Sequence, residues 1–403
     1  MNRIDYQAAR GRGYWLSVLL LAAISALALW AAHQMDSHGH VITGMNNQVV
    51  WGLPHVFAVF LILSASGALN PASLSTVFGR TSYTPVARLS GVFAISLLVG
   101  GLVILILDLG RPDRLDVALS TYNFSSIFAW NVFAYTGFVV VVAIYMGCLM
   151  QRPPYTGSIL FGRLTFVWRI MLTCGTGAIF GFLVGREGYD AAILVPLFVA
   201  MSLSLGAACF LIGLITVSWW TAVALEWQLV HRLGRLLAIF ITLVLLLVAA
   251  HHLTGYYAGR QRGVVTFLLA TGGIYPLIFW VGQVGVGALV PLILLLRLRN
   301  TAAIIVAAGL VVLGGICQLY VLIVGVQAYP QNIFPGYVVS SSFFDGEVAR
   351  YVPSIWEYLL GLGGVSIALL LSIVMLRVLP LVPRPSSADR AFSMSRSGIS
   401  SLD

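Results

Sequence analysis

Runs of about twenty apolar residues recur along the chain and limit what it can fold into. A helix needs about 20 such residues to cross the hydrocarbon core of a bilayer. There are about ten runs, close to that length, near residues 14–33, 49–69, 88–108, 127–149, 164–184, 193–217, 235–256, 265–296, 302–326 and 355–378. The pattern predicts an all-α, polytopic bundle of transmembrane helices, arranged as two packed bundles.

The few charged residues predict the orientation of these helices. Only 9% of the residues are charged, against roughly 25% in a soluble chain, which excludes a large soluble fold. If alternate loops face alternate sides, sixteen of the 22 arginines share one side, and by the positive-inside rule that side is cytoplasmic. Both termini are then cytoplasmic in the cell inner membrane. The net charge of +9 reflects topology, so nucleic acid is excluded as a partner.

The apolar runs end near residue 378 and prolines follow, which divides the chain into two segments. Residues 1–379 are predicted to form one integral membrane domain, and 380–403, with several prolines followed by serine and arginine, a disordered cytoplasmic tail. A cleaved signal peptide is the competing interpretation of the first span. The connection at 327–354 is rich in aromatic residues, which favours packing against a partner or a role as a lid.

Acidic residues and histidines favour the opposite, outer face. Six of the seven histidines lie there, all but His231, as do nine of the 13 acidic residues. The nine acids are Asp36, Asp108, Asp113, Asp116, Glu187, Asp190, Asp345, Glu347 and Glu357. Ionisable groups beside a membrane span are functional candidates, because burying them is costly. Proton-coupled redox chemistry at a lipid-soluble carrier would need such a layer, although an ordinary polar interface has the same composition.

Asp108 stands out within the stretch LDLGRPDR, which begins at Leu107. Gly110 and Pro112 are typical of a helix end. A carboxylate is disfavoured at the negative end of a helix dipole, so Asp108 needs a partner, and Arg111 and Arg114 are the nearest candidates. Two interpretations stay open, a structural Asp–Arg clamp and direct participation in proton transfer.

His55 lies in the stretch WGLPH at the start of the second span, about one or two turns below the outer surface. An imidazole titrates in the range useful for donating a proton to a quinone carbonyl, although a structural histidine is equally compatible. At the start of the fourth span, Asn131 and Tyr135 are four residues apart and share one helix face. The two spans descend from the same side, so we expect these three side chains to share one depth and to bind one ligand.

The cysteines and histidines of the sequence give little support for a metal or haem site. Cys148, Cys174, Cys209 and Cys317 lie singly inside apolar runs, a pattern that predicts packing residues and no iron–sulfur or zinc site. A b-type haem between His55 and either His251 or His252 remains an alternative.

A secondary transporter is a further alternative, supported only by glycines and one proline that could interrupt the eighth span. They are Gly272, Gly273, Pro276, Gly282, Gly285 and Gly287.

Three stretches, WGLPH at 51–55, LDLGRP at 107–112 and SIFAWN at 126–131, resemble the NrfD/PsrC family of quinone-interacting membrane subunits. The resemblance covers about a quarter of the chain, from 46 to 150. The number of spans is similar to that of the longer branch, which includes DsrP of the DsrMKJOP complex.

The resemblance implies a subunit without haem or an iron–sulfur cluster of its own. Such a subunit exchanges electrons between an exchangeable quinone, menaquinone or ubiquinone, and a periplasmic ferredoxin-like iron–sulfur subunit, alongside other membrane redox subunits in sulfur-compound metabolism. It assigns Asp108, Arg111 and the region of Asn131 to the quinone site. Proton translocation is compatible with this function, and Ser64, Ser66 and Asn70 would begin an inward polar path.

Overall fold

The computed structural model describes residues 6–8, 13–151, 157–221, 226–298, 300–331 and 346–383. Within them lie ten helices that are long and apolar enough to span a membrane, as predicted. They are α1 Tyr14–His38, α2 Leu53–Thr76, α3 Thr81–Leu107, α4 Ile127–Met150, α5 Gly157–Gly181, α6 Leu194–Thr221, α7 Trp227–Tyr257, α8 Ile274–Arg297, α9 Thr301–Ala328 and α10 Ile355–Val378.

The helices form two bundles. Helices α2 to α5 pack together as the first bundle, and α6 to α9 as the second. Helix α2 is almost wholly buried and joins the bundles by crossing α6. The crossing needs Gly67 and Gly206, because a Cβ added to Gly67 would lie 1.7 Å from the carbonyl oxygen of Ser202 on α6. Helices α1 and α10 pack against each other, and α10 also packs against α2 and α3.

Two spans are interrupted. Pro71 lacks an N–H, and α2 bends just before it, where Leu53–Ala68 gives way to Asn70–Thr76. The predicted run at 265–296 is broken at Gly273, whose φ of 64° is left-handed, and the short helix Arg262–Thr271 precedes α8. The middle of α8 is π-helical, and its Gly287 packs on Gly314 of α9. The segment after the break, Ile274–Arg297, is long enough to span a membrane by itself, so the break precedes α8 and does not divide it as expected of a transporter.

The two ends of the described chain meet. Tyr6–Gln7 pairs antiparallel with Val382–Pro383, and Leu381 and Val382 are buried. The packed body thus extends to 383, four residues beyond the predicted boundary, and the remainder of the predicted tail lies outside the described residues. So does the middle of the predicted outer connection, 332–345.

Candidate functional site

Asp108 immediately follows the last turn of α3. Its N–H still donates to the carbonyl of Ile104, at 3.0 Å, and Gly110 then turns the chain with a left-handed φ of 67°. The side chain is only 1% exposed. A carboxylate this enclosed must be paired or hydrogen-bonded, because an isolated buried charge is very costly.

Two histidines supply that pairing. Nδ1 of His55 lies 2.9 Å from Oδ2 of Asp108, and Nε2 of His40 lies 3.4 Å from Oδ1. His55 belongs to the first turn of α2, and His40 begins the short helix His40–Ile42 after α1. The imidazoles are 23% and 31% exposed, so each links the buried carboxylate to the edge of the protein.

Burial and the neighbouring groups shift the pKa values of Asp108 and His40. Burial alone would raise the pKa of Asp108, but hydrogen bonds from His40 and His55 outweigh it and hold the pKa below its usual value. The hydrogen bond to Asp108 raises the pKa of His40, although partial burial opposes this effect. The cluster therefore favours a negative Asp108 carboxylate beside a His40 imidazole that can carry a proton.

In the structure Arg111 pairs with Asp113, and not with Asp108 as in the clamp that was one of the two open interpretations. The Arg111 guanidinium binds Asp113 through Nε and Nη2, both at 2.9 Å, and its side chain is 66% exposed. Gly110 turns the chain away from the end of α3, so the arginine nearest in sequence faces solvent while distant histidines reach Asp108. His40, which the sequence marks only as one of several outer histidines, takes that place.

Trp51 connects this cluster with the starts and ends of neighbouring helices. Its ring lies 6.2 Å from the His55 ring and 6.4 Å from that of Phe128 on α4, measured between centroids. It also contacts Phe180 of α5 at 5.6 Å and Tyr189 at 6.3 Å. His55 thus has an aromatic wall on one side and a carboxylate on the other.

Asn131 and Tyr135 share one face of α4, which is packed against α5. Nδ2 of Asn131 donates to the carbonyl oxygens of Ile127, at 2.9 Å, and Gly175, at 3.0 Å. The Tyr135 hydroxyl lies 3.5 Å from that of Thr176. Both residues are buried, and the Oδ1 of Asn131 has no partner within the described part of the chain. Their contacts join two helices, and Asn131 lies three residues from Phe128, the α4 residue that Trp51 touches.

Arg169 lies within α5 and is buried, although its place in the sequence predicts a position at the cytoplasmic side. Its Nη1 donates to the carbonyl oxygen of Ser66 at 3.1 Å and to Oδ1 of Asn70 at 2.7 Å. The bend in α2 exposes these acceptors. Counting arginines by loop does not reveal this position, because a single arginine barely lowers the hydropathy of a long span.

The haem alternative requires His55 to face His251 or His252. The structure places them in different bundles, since His55 is on α2 and the other two are on α7. His252 packs against His251, with ring centroids 5.1 Å apart, and against Phe279 of α8 at 5.0 Å. Over the described residues, no group of three or more His, Cys, Asp or Glu side chains is arranged to hold a metal ion.

The ten apolar helices, with a buried carboxylate and two histidines at one end of the central ones, define a multi-pass membrane protein. The chain belongs to the family described as "Polysulphide reductase, NrfD", whose sequence model matches residues 41–331.

Three relatives share much of its length. The chain is 27% identical to the Hdr-like menaquinol oxidoreductase integral membrane subunit of Archaeoglobus fulgidus, over 92% of this chain and 94% of the relative. It is 29% identical to a putative dimethyl sulfoxide reductase membrane subunit of Halobacterium salinarum, over 95% and 94%. It is 28% identical to a polysulfide reductase chain of Wolinella succinogenes, over 69% and 95%. Such relatives are membrane subunits of oxidoreductase complexes.

Proposed function

We propose that this chain is the quinone-reactive membrane subunit of a redox complex, exchanging electrons between the membrane quinone pool and a partner subunit. The observation that carries the proposal is the cluster of His40, His55 and Asp108, which lies at one end of α2 and α3 in a member of the NrfD family. A relative named as a menaquinol oxidoreductase subunit supports the quinone as substrate.

The residues suit a quinol headgroup, which is a flat ring that exchanges two protons together with two electrons. His55 is partly exposed and is flanked by Trp51, so a ring could lie against an apolar wall and still reach an imidazole. The unpartnered Oδ1 of Asn131 is an acceptor for a second contact, with Tyr135 supporting the same face of α4. We leave Arg111 out of the proposed site, because its side chain is exposed and bound to Asp113.

The contacts of Asp108 with His55 and His40 support a route for proton transfer. Asp108 faces Nδ1 of His55, which fixes the tautomer and leaves Nε2 free to accept a proton from a quinol hydroxyl. The resulting imidazolium is stabilised by the adjacent carboxylate. His40 shares that carboxylate and is the more exposed histidine, so it takes the second proton and exchanges it with water. In quinone reduction the same groups donate.

The proposal extends to the surroundings of the site. The distribution of arginines supports a cytoplasmic location for both termini, in the inner membrane, with residues beyond 383 forming a cytoplasmic tail. The site then faces the outer side, where a periplasmic ferredoxin-like iron–sulfur subunit would exchange the electrons, as in a DsrMKJOP-type complex of sulfur metabolism. Arg169, Ser66 and Asn70 would supply part of an inward proton path if redox chemistry is coupled to translocation.

Binding of a quinol analogue such as 2-heptyl-4-hydroxyquinoline N-oxide tests the site directly. In isothermal titration calorimetry of the purified complex, the His55→Ala and Asp108→Asn variants should bind the analogue more weakly than wild type does. Asp113→Asn is the matched control, because Asp113 lies on the same connection but is 59% exposed and bound to Arg111. Equal affinity in all four proteins would refute the site.

A further inference from the structure

Glu357 is a buried carboxylate that belongs to neither the quinone site nor the family match. It lies in the first turn of α10, is 0% exposed, and lies beyond the matched residues 41–331. A glutamate at this position commonly caps its own helix, and its Oε2 does accept from the N–H of Ser354, at 2.7 Å. Capping accounts for only one of its three hydrogen bonds.

The second bond fixes the segment that carries His40. Oε2 of Glu357 also accepts from the N–H of Gly44, at 2.8 Å, four residues after His40. The N–H of Gly44 lies in the connection between α1 and α2, which has no sheet or helix of its own at this point. The carboxylate therefore anchors the connection that places His40 over Asp108.

The third bond reaches the start of α2. The hydroxyl of Tyr351 donates to Oε1 of Glu357 at 2.5 Å and accepts from the N–H of Leu53 at 2.6 Å. Leu53 is the first residue of the helix that carries His55, and its N–H is one of the donors that a helix start leaves without an internal partner. The preceding Gly52 is pressed against the same pair, since an added Cβ would lie 2.5 Å from Oε1.

We propose that Glu357 and Tyr351 form a bracket, defined as these two side chains, that positions both histidines of the Asp108 cluster. The bracket holds one histidine segment through Gly44 and the other through Leu53. Both members are positioning residues, because they act on quinone chemistry through His40 and His55. The inference deepens the proposed function and rests on it for its effect on quinol binding.

Hydrogen exchange of the intact complex, followed by mass spectrometry, measures the bracket without any quinone. Glu357→Ala should speed exchange at both Gly44 and Leu53 by about tenfold or more, since each amide loses a buried acceptor or its support. Tyr351→Phe should speed exchange at Leu53 and leave Gly44 close to wild type. Glu357→Gln keeps an oxygen that can still accept from Gly44, and should recover most of the protection.

Asn300→Ala is the matched control, because Asn300 caps α9 by accepting from the N–H of Ala303 at 2.7 Å and contributes no bond to the bracket. It should leave exchange at Gly44 and Leu53 unchanged. Faster exchange confined to the first turn of α10 in Glu357→Ala would show an ordinary helix cap and overturn the bracket. If Glu357→Ala does not fold, the pattern in Tyr351→Phe decides.

Analogue binding then connects the bracket to the site. Glu357→Ala and Tyr351→Phe should each weaken binding of the quinoline N-oxide by about tenfold, with Glu357→Gln nearer to wild type. If His55→Ala and Asp108→Asn weaken binding while the bracket variants match the control, the inference fails and the proposed function stands. If exchange changes as expected but His55→Ala binds normally, the proposed function fails and the bracket is purely structural.

Discussion

Replacing Asp108 with asparagine removes the charge of the cluster while keeping its shape. The carboxylate makes a short contact of 2.9 Å to His55 and a longer, weaker one of 3.4 Å to His40. A hydrogen bond to a charged group contributes about 1.5–3 kcal/mol, and only the shorter contact counts in full. Stabilisation of the His55 imidazolium should fall by this amount, which slows quinol oxidation about 10- to 100-fold, at about tenfold per 1.4 kcal/mol.

The assay is steady-state quinol oxidation by the complex with its partner subunits. His55→Ala should reduce the rate more than His40→Ala, because the shorter contact belongs to His55. Asp113→Asn should stay within about threefold of wild type, since exposed ion pairs contribute little. A rate in Asp108→Asn within threefold of wild type, or an equal loss in Asp113→Asn, would refute the assigned proton transfer.

Three further predictions concern pH and packing. The pKa of His40 is raised by Asp108, so protonated His40 stabilises the folded protein below about pH 6.5. This stabilisation is lost as pH rises through the higher pKa of the folded state. Thermal unfolding measured against pH should show the loss in wild type and not in Asp108→Asn. Asn70→Leu leaves the buried Arg169 cation with the Ser66 carbonyl but without its side-chain acceptor, and should cost about 1.5–3 kcal/mol in denaturant unfolding, more than Arg169→Met, which removes the cation together with the bond. Gly67→Ala forces a Cβ onto the backbone of α6 and should cost about 1–3 kcal/mol or more.

Each of these predictions has its own control. Gly147→Ala adds a Cβ where no atom outside its own helix lies within 4 Å, so unfolding should change little. Equal stability of the two glycine variants would contradict the close crossing of α2 and α6. A greater loss in Arg169→Met than in Asn70→Leu would mean that the guanidinium is stabilised mainly by groups other than Asn70, and would contradict the assigned role of that side chain. A pH slope that survives in Asp108→Asn would assign the titration to another group.

The spans and the family follow from the sequence because hydropathy and short motifs are local properties. The ten spans and the family match are both confirmed. The sequence also predicts that Asp108 needs a partner and that His55 is a candidate site residue. It does not predict their pairing with each other, because α2 and α3 are antiparallel neighbours and the sequence alone does not give their register.

The errors have a common physical cause. Arg111 is three residues from Asp108, yet the left-handed turn at Gly110 carries it into solvent. Arg169 has the sequence position of a residue near a loop. It is nevertheless buried inside the bundle, because Ser66 and Asn70 beside the interruption of α2 accept its hydrogen bonds. In both places one irregular backbone position decides which side chains meet, and such positions carry only weak signals in the sequence.

The packing of α1 against α10 has a consequence for assembly. The chain is synthesised from α1 onward, yet the principal neighbour of α1 is the last span. Helix α1 therefore lacks its principal neighbour until the eight described spans that separate it from α10, and α10 itself, have been made. Only then can Tyr6–Gln7 pair with Val382–Pro383, and only then can Glu357 reach Gly44. Synthesis of α10 is therefore also the step that finishes the end of the first bundle that carries His40 and His55.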